Sequence, residues 1–228
     1  MVSHTTSRFA SRLLPAALIL ASVLLAAPGC EDPSIKYNQA GLEAYRAGDY
    51  TRARAGFEEA IATNPDVGEF YYNRGMCEQA LGHFDQAIFN YDMATHLNAG
   101  LVAAFQNKAQ CYVEKKDPEK AYEVLVSGTT SNPYTAEAFI NAAMFCLKRD
   151  DVAGAKLWLA KGVAADPENP RAHREYAMLL LKTGDREKAV QELRKSLELA
   201  PVQPDLSATL SEISPSGAQL PAPKPQTK

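Results

Sequence analysis

The sequence predicts an all-α protein, an α-solenoid built from about five stacked helical hairpins. Alanines recur at intervals of 34 residues without a slip, at Ala53, Ala87, Ala121, Ala155 and Ala189. Prolines keep the same step at Pro65, Pro133, Pro167 and Pro201. A constant period of this length is the signature of a repeat architecture in which each copy packs only against its neighbours.

Residues 1–29 have the pattern of an export signal. Arg8 and Arg12 form a basic start, and residues 13–27 carry no charge. This apolar run is shorter than the roughly 20 residues that a membrane-spanning helix needs. The small residues before Cys30 resemble the end of bacterial lipoprotein signals, in which the following Cys is lipidated. The resemblance implies lipid attachment, palmitate included, at Cys30 and a bacterial cell envelope location on the periplasmic or extracellular side.

Two other outcomes stay open for this segment. Secretion with cleavage after Gly29 would leave Cys30 as an unmodified thiol, and an uncleaved signal would serve as a membrane anchor. In the lipoprotein interpretation, residues 30–33 form a linker between the lipid and the first repeat. Four extended residues reach only about 14 Å, so the folded body is expected close to the membrane.

The first half of each copy predicts an amphipathic helix. Its large residue is aromatic at Tyr37, Tyr71, Phe105 and Phe139, with His173 in the fifth copy. Four positions later comes a small residue, at Gly41, Gly75, Ala109, Ala143 and Ala177. A spacing of three or four residues places side chains on one helix face, and a small residue lets a neighbouring helix approach closely.

The second half of each copy predicts a partner helix that returns antiparallel to the first. A capping residue precedes it at Asp49, Asp117, Asp151 and Asp185, with His83 in the second copy. A bulky residue follows at Phe57, Tyr91, Leu125, Leu159 and Leu193. The proline column ends this helix because proline has no backbone N–H to donate.

These columns resemble the tetratricopeptide repeat. The fullest match is the first copy, with Tyr37, Gly41, Gly48, Asp49, Tyr50, Ala53, Phe57, Ala60 and Pro65. On this resemblance the five copies run over residues 34–67, 68–101, 102–135, 136–169 and 170–203. The family implies a right-handed solenoid whose first helices line a concave groove. The third and fourth copies depart from the pattern, because Lys116 and Asp150 stand where the turn has glycine.

The family's groove positions carry over to this chain residue by residue. The predicted peptide-binding groove comprises Asn38, Leu42, Tyr45, Tyr72, Met76, Gln79, Gln106, Gln110, Val113, Ile140, Met144, Leu147, Lys148, Arg171, Arg174, Met178, Leu181 and Lys182. Tyrosines and amides at the first end suit the backbone of an extended peptide. Methionines beside cations at the far end suit an apolar segment with an acidic group nearby.

The predicted function is a membrane-anchored protein–protein interaction scaffold that binds a peptide or protein segment and assists an envelope assembly. Two alternatives stay open: a spacer that self-associates as a homo-oligomer, and an accessory subunit that positions a partner enzyme. The sequence carries no catalytic, metal or cofactor motif, so neither an enzyme nor a cofactor is predicted. Nucleic acid is not an expected partner, because 24 Lys and Arg face 27 Asp and Glu for a net charge of −3.

Three further cysteines fall within the repeats. Cys77 and Cys111 occupy the tenth position of adjacent copies, and Cys146 the eleventh position of the next. Equivalent positions in packed helices lie about 8–10 Å apart, beyond the roughly 7 Å between Cα atoms that a disulfide spans. Three buried free thiols are therefore predicted, with a disulfide as the alternative.

The chain after the last copy divides into two parts. Leu206, Leu210 and Ile213 are spaced as one helix face, which predicts a capping helix over residues 204–213 that covers the open end of the stack. Residues 214–228 contain four prolines and almost no large apolar side chain, which predicts a disordered tail.

Overall fold

The computed structural model describes residues 32–214, which form eleven α-helices and no strand. The predicted all-α solenoid is confirmed. In chain order the helices are α1 (Pro33–Arg46), α2 (Tyr50–Thr63), α3 (Gly68–Ala80), α4 (Phe84–Leu97), α5 (Val102–Glu114), α6 (Pro118–Ser131), α7 (Ala136–Lys148), α8 (Val152–Ala165), α9 (Pro170–Lys182), α10 (Arg186–Leu199) and α11 (Pro204–Ile213). The predicted signal, the lipid site at Cys30 and the tail beyond Ser214 lie outside the described residues.

The first ten helices pair into five hairpins, and each hairpin packs on the next. The first helices of adjacent hairpins also touch one another in the order α1, α3, α5, α7 and α9. These five helices therefore form one continuous side of the stack, as a solenoid groove requires. Among residues 32–214, no helix combines the length and the apolar character that a bilayer crossing demands.

Aspartates of the predicted column cap the second helices. Asp49, Asp117 and Asp151 each accept a hydrogen bond from the backbone N–H three residues later, at 3.0, 3.1 and 2.8 Å. Such a bond satisfies one of the backbone donors that the first helical turn leaves without a partner. Asp185 stands at the same place before α10 without this bond, and its carboxylate faces the ammonium group of Lys156 at 3.5 Å.

The turn inside each hairpin needs one residue in the left-handed conformation. Gly48, Gly82 and Gly184 adopt φ values of 80°, 80° and 84° there. Lys116 and Asp150 adopt 61° and 59° at the equivalent places. The two copies that lack glycine thus keep the same turn and hold a side chain in a conformation that costs roughly 1–2 kcal/mol.

The small residue of the first helix and the bulky residue of the second are matched in size. A Cβ atom at Gly41 would lie 2.7 Å from the ring of Phe57, and one at Gly75 would lie 2.7 Å from the ring of Tyr91. The other three hairpins combine alanine with leucine in one buried cluster: Ala109 with Leu125, Ala143 with Leu159, and Ala177 with Leu193. Glycine therefore occurs where the opposing residue is aromatic.

Helix α11 covers the last hairpin. Leu206 and Leu210 are buried in one cluster with Leu193 of α10, as expected for the predicted capping helix. The guanidinium of Arg186 donates to the carbonyl oxygen of Ile213 at 3.0 Å. A cation at the end of a helix satisfies carbonyls that have no helical partner and complements the helix dipole.

Helix α1 begins one residue before the first predicted copy. Asp32 is its N-cap and Pro33 is its first residue. The Asp32 carboxylate accepts a hydrogen bond from the backbone N–H of Ser34 at 2.9 Å. Its bonds to Ser34 hold the pKa of Asp32 below the usual value. Proline suits this first turn, where its missing N–H would have no helical partner.

The cysteines behave as predicted. Cys77, Cys111 and Cys146 are free and buried. Burial raises the pKa of the Cys77 thiol to about 12 and that of Cys111 to about 11, and it also raises the pKa of Cys146. Such thiols act as small apolar groups of the core, because the thiolate is the reactive form.

Candidate functional site

A cavity of about 330 Å³ opens between α5, α7 and α9, the first helices of the last three hairpins. Its lining comprises Gln106, Asn107, Ala109, Gln110, Val113, Leu125, Asn141, Met144, Phe145, Lys148 and Arg171. Four of these side chains are carboxamides, and we call the cavity the amide pocket. The 34-residue period places its residues on equivalent faces of adjacent helices.

The carboxamides of the pocket differ in how they are engaged. The Asn107 amide donates to the hydroxyl of Tyr72 at 3.3 Å, and the Gln110 amide donates to the carboxylate of Glu114 at 2.7 Å. Gln106 and Asn141 make no side-chain hydrogen bond to any residue within 32–214. A carboxamide both donates and accepts hydrogen bonds. Both capacities of Gln106 and Asn141 are therefore left for a ligand.

The rest of the pocket combines an apolar floor with positive charge. Leu125 and Phe145 are buried at the base, and Met144 is 38% exposed. Lys148 and Arg171 supply two cations, and no carboxylate lines the cavity. Arg171 Nη1 lies 2.5 Å from a carboxylate oxygen of Glu137, which stands outside the lining. The pocket thus suits a segment with apolar and backbone polar groups and a negative charge.

The structure brings six predicted groove residues together in the amide pocket. They are Gln106, Gln110, Val113, Met144, Lys148 and Arg171. Asn38, Leu42, Tyr45, Tyr72, Met76 and Gln79 lie instead on α1 and α3, where each is half-buried. Leu147, Arg174, Met178, Leu181 and Lys182 lie on α7 and α9 outside the lining. Met178 is 47% exposed, and Arg174 is bonded to the carboxylate of its neighbour Glu175 at 2.8 Å.

Polar groups at the α1–α3 end are engaged with the protein itself. Asn73 donates to the side-chain oxygen of Asn38 at 2.8 Å, and the hydroxyl of the buried Tyr91 donates to Gln79 at 2.7 Å. Tyr72 accepts from Asn107, and burial raises the pKa of its hydroxyl. The Asn73–Asn38 and Asn107–Tyr72 bonds link adjacent hairpins, and the Tyr91–Gln79 bond joins the two helices of the second hairpin. They offer fewer free hydrogen-bonding groups to a ligand than the amide pocket does.

Ile140 does not belong to the groove. It is fully buried in the core that α7, α8 and α9 share, a cluster that includes Ala143, Leu159 and Tyr176. Its repeat position lies at the border between the open face and the contact with the next hairpin. An aliphatic side chain there gains roughly 1.5–3 kcal/mol by turning into the core, whereas Gln106 at the equivalent place in α5 stays exposed.

The groove prediction missed Asn107 and Asn141. Both occupy the sixth position of their copies, and Asn73 occupies it one copy earlier. Three asparagines at intervals of 34 residues are a sequence signal that could have found them. The predicted groove came from the second, fifth, ninth, twelfth and thirteenth positions of each copy, which do not include this column.

The repeat assignment is decided by comparison with protein families. The tetratricopeptide-repeat family matches residues 38–100 and residues 146–213, together more than half of the chain. This chain is a tetratricopeptide-repeat protein. The first matched region spans most of the first two hairpins, and the second begins near the end of α7 and includes α8 to α11. The amide pocket draws Lys148 and Arg171 from the second region. In residues 32–214, no three His, Cys, Asp or Glu side chains gather in a way that could hold a metal ion.

Solved tetratricopeptide-repeat structures share the fold. A thermophilic member from Thermus thermophilus is 21% identical with a TM-score of 0.53, over 79% of this chain and 98% of its own. PilW, a widely conserved type IV pilus biogenesis factor, is 21% identical with a TM-score of 0.55, over 80% and 86%. PilF of Pseudomonas aeruginosa is 21% identical with a TM-score of 0.53, over 81% and 93%. At this identity the likeness concerns the fold.

Proposed function

We propose that this tetratricopeptide-repeat protein is a scaffold that holds an extended segment of a partner protein in the amide pocket. The observation that carries the proposal is the pair of carboxamides, Gln106 and Asn141, which line the pocket and have no partner among the described residues. An extended peptide presents backbone N–H and C=O groups in a regular series. A carboxamide can bond to both kinds of group at once.

The floor of the pocket supports the same occupant. Met144 and Val113 are each 38% exposed beside the buried Phe145. Methionine is unbranched and polarisable, so it adapts to apolar side chains of different shapes. A surface that recognises the backbone through amides and accepts varied side chains suits a scaffold. The α1–α3 end is less suited, because its polar groups already bond to each other.

Site-specific photocrosslinking tests the proposal. A benzoylphenylalanine is introduced at Val113, which lines the pocket, or, as a matched control, at Glu123, which is exposed on the second helix of the same hairpin. In cells that express the protein, the Val113 position should crosslink to a discrete partner protein and the Glu123 position should not. Equal crosslinking from both positions, or crosslinking from neither, would contradict a binding site in the amide pocket.

We also propose that the scaffold is tethered to a bacterial membrane by a lipid on Cys30. The support is the sequence pattern of a basic start, an uncharged apolar run and small residues before this cysteine. With Asp32 as the cap of α1, only Glu31 would separate the lipidated residue from the folded body. Stable anchoring takes more than one acyl chain, since each buried CH₂ contributes about 0.8 kcal/mol.

Palmitate labelling tests the anchor. Labelled palmitate should enter the protein and should be absent from the Cys30→Ala variant, which should also leave the membrane fraction. Cys77→Ala is a matched control, because Cys77 is buried in the fold and should leave the label unchanged. Label that persists in Cys30→Ala would contradict the proposal.

An envelope assembly is the proposed setting of this scaffold. Two considerations support it: the export pattern of residues 1–29, and a fold shared with PilW, a type IV pilus biogenesis factor. With a lipid anchor and a peptide-binding groove on the same protein, the scaffold would hold a partner segment near the membrane while further subunits of the envelope structure assemble. Loss of the protein should therefore leave an envelope structure incomplete, and an intact envelope in the deletion strain would contradict this setting.

A self-associating spacer is the second candidate, favoured by two exposed apolar side chains. Phe89 on α4 and Leu157 on α8 are 57% and 55% exposed and occupy the same position of their copies. Sedimentation that depends on concentration in the wild type, and is lost in Phe89→Ser/Leu157→Ser, would support this candidate. A monomer at every concentration would exclude it.

A further inference from the structure

Two lysines stand together at one edge of the groove. Lys148 is the last residue of α7 and Lys182 is the last residue of α9, so they occupy equivalent places in adjacent hairpins. Helices α7 and α9 touch, and the axes of packed helices lie about 8–10 Å apart. The backbone positions of the two lysines should therefore lie about one helix spacing apart.

Neither lysine has an ion-pair partner among residues 32–214, in contrast to the cations around them. Arg149 forms a two-pronged pair with Glu119 at 3.2 and 3.1 Å, and Arg171 is paired with Glu137 at 2.5 Å. Those pairs link neighbouring hairpins and are explained by the fold. The two lysines are exposed charges that the fold does not use.

We propose that Lys148 and Lys182 bind two acidic side chains of the partner segment that are three residues apart. This inference rests on the proposed function. A polyproline II segment advances about 3.1 Å per residue and completes a turn in three residues. Side chains i and i+3 therefore point to the same side, about 9 Å apart. This repeat matches the helix spacing, so Asp or Glu at i and i+3 would each meet one lysine.

The surroundings of the two lysines favour a peptide over a larger polyanion. The amide pocket, which Lys148 also lines, offers carboxamides and an apolar floor formed by Met144 and Phe145. Nucleic acid is held by many phosphate contacts at once, and only two unpaired cations stand here. The ammonium group of lysine is a compact charge on a flexible side chain, and it can therefore reach and pair with a carboxylate. The occupant we infer is an acidic segment of protein.

Selection from a peptide library tests the inference. The probe is a displayed library of random ten-residue peptides, linked at both ends so that no free terminus is present. The bait is the protein purified from cells in mild detergent. The selected peptides should be enriched in Asp or Glu at i and i+3, and their binding should weaken as ionic strength rises.

Charge variants connect the selected peptides to the two lysines. Lys148→Glu/Lys182→Glu should weaken the binding of an i, i+3 acidic peptide at least tenfold. Lys148→Gln/Lys182→Gln should weaken it less, because it removes attraction without adding repulsion. The matched control is Arg46→Glu, since Arg46 is exposed at the equivalent end of α1, far along the stack. It should change the affinity less than twofold. Helicity measured by circular dichroism confirms that each variant is folded.

The possible results separate this inference from the proposed function. Peptides that bind without an acidic pattern, or that bind the Lys148→Glu/Lys182→Glu variant as tightly as the wild type, would overturn the inference. In either case, the proposed function would stand if Asn141→Ala/Met144→Ala weakened the binding of the selected peptides. A library that yields no binder would overturn both.

Discussion

The packing of the first hairpin gives a sharp test of how the repeats fit together. In Gly41→Ala, the new Cβ would lie 2.7 Å from a ring carbon of Phe57, whereas carbon atoms in contact lie about 3.5–4.0 Å apart. Overpacking of this kind costs about 1–3 kcal/mol, and replacing a helical glycine by alanine returns about 1 kcal/mol. We expect the free energy of unfolding to fall by up to about 2 kcal/mol.

A second substitution should relieve the clash. Phe57 is fully buried, so Phe57→Leu alone should lower the free energy of unfolding by about 1–2 kcal/mol through the space it leaves. The double variant recreates the alanine–leucine pairing of the last three hairpins. Its two effects should partly cancel, with a favourable coupling of about 1–3 kcal/mol.

Urea denaturation followed by far-ultraviolet circular dichroism measures the four proteins of this cycle. The fourth hairpin offers the reverse experiment: Leu159→Phe should destabilise the protein, and Ala143→Gly should restore part of the loss. Effects in the double variants that simply add would refute the size matching. So would a Gly41→Ala protein that is more stable than the wild type.

The remaining predictions concern the turns, the thiols and the groove. Lys116→Gly should raise the free energy of unfolding by about 0.5–1 kcal/mol, because glycine adopts the positive φ of 61° without strain. Gly48→Ala should lower the free energy of unfolding by a similar amount. Thermal denaturation measures both changes. The folded protein raises the pKa values of Cys77 and Cys111, so it favours their neutral thiols. The stability that this contributes is complete below about pH 9 and is lost as the pH rises towards 11–12. Urea midpoints that do not change from about pH 8 to 11 would contradict this. At pH 8 a disulfide reagent should react slowly with both thiols until denaturant is added. Glu114→Lys extends the lysine edge to α5 and should tighten binding of peptides with a third acidic residue at i+6, measured by fluorescence anisotropy.

Most of the fold follows from the sequence, because a repeat of constant length fixes each helix relative to its neighbours. The columns at Ala53 and Phe57 mark the buried face, and the aspartates mark where the second helices begin. The turns at Lys116 and Asp150 lack the usual glycine and still keep the same conformation. The packed helices on either side impose that conformation on the turn residue.

The candidate site could be predicted only in part. Repeat positions predicted six of the side chains that line the amide pocket, but not which side chains bond to each other. Gln79 accepts a hydrogen bond from Tyr91 of the paired helix, whereas Gln106 has no side-chain hydrogen bond among the described residues. This difference depends on contacts between helices. Ile140 is apolar and turned into the core at a position where other copies carry polar residues. Hydrogen bonding and burial at equivalent repeat positions depend on three-dimensional packing, which the pattern of one repeat position does not show.

Methionine methyl resonances offer the most direct measurement of peptide binding in the amide pocket. The chain has five methionines, and the described ones sample distinct places: Met144 lines the pocket, Met178 lies further along α9, Met76 is on α3 and Met93 is on α4. Adding a selected acidic peptide to methyl-labelled protein should shift the Met144 and Met178 signals and leave Met93 in place. Shifts confined to Met93, or no shift at saturating peptide, would contradict a binding site between α5, α7 and α9.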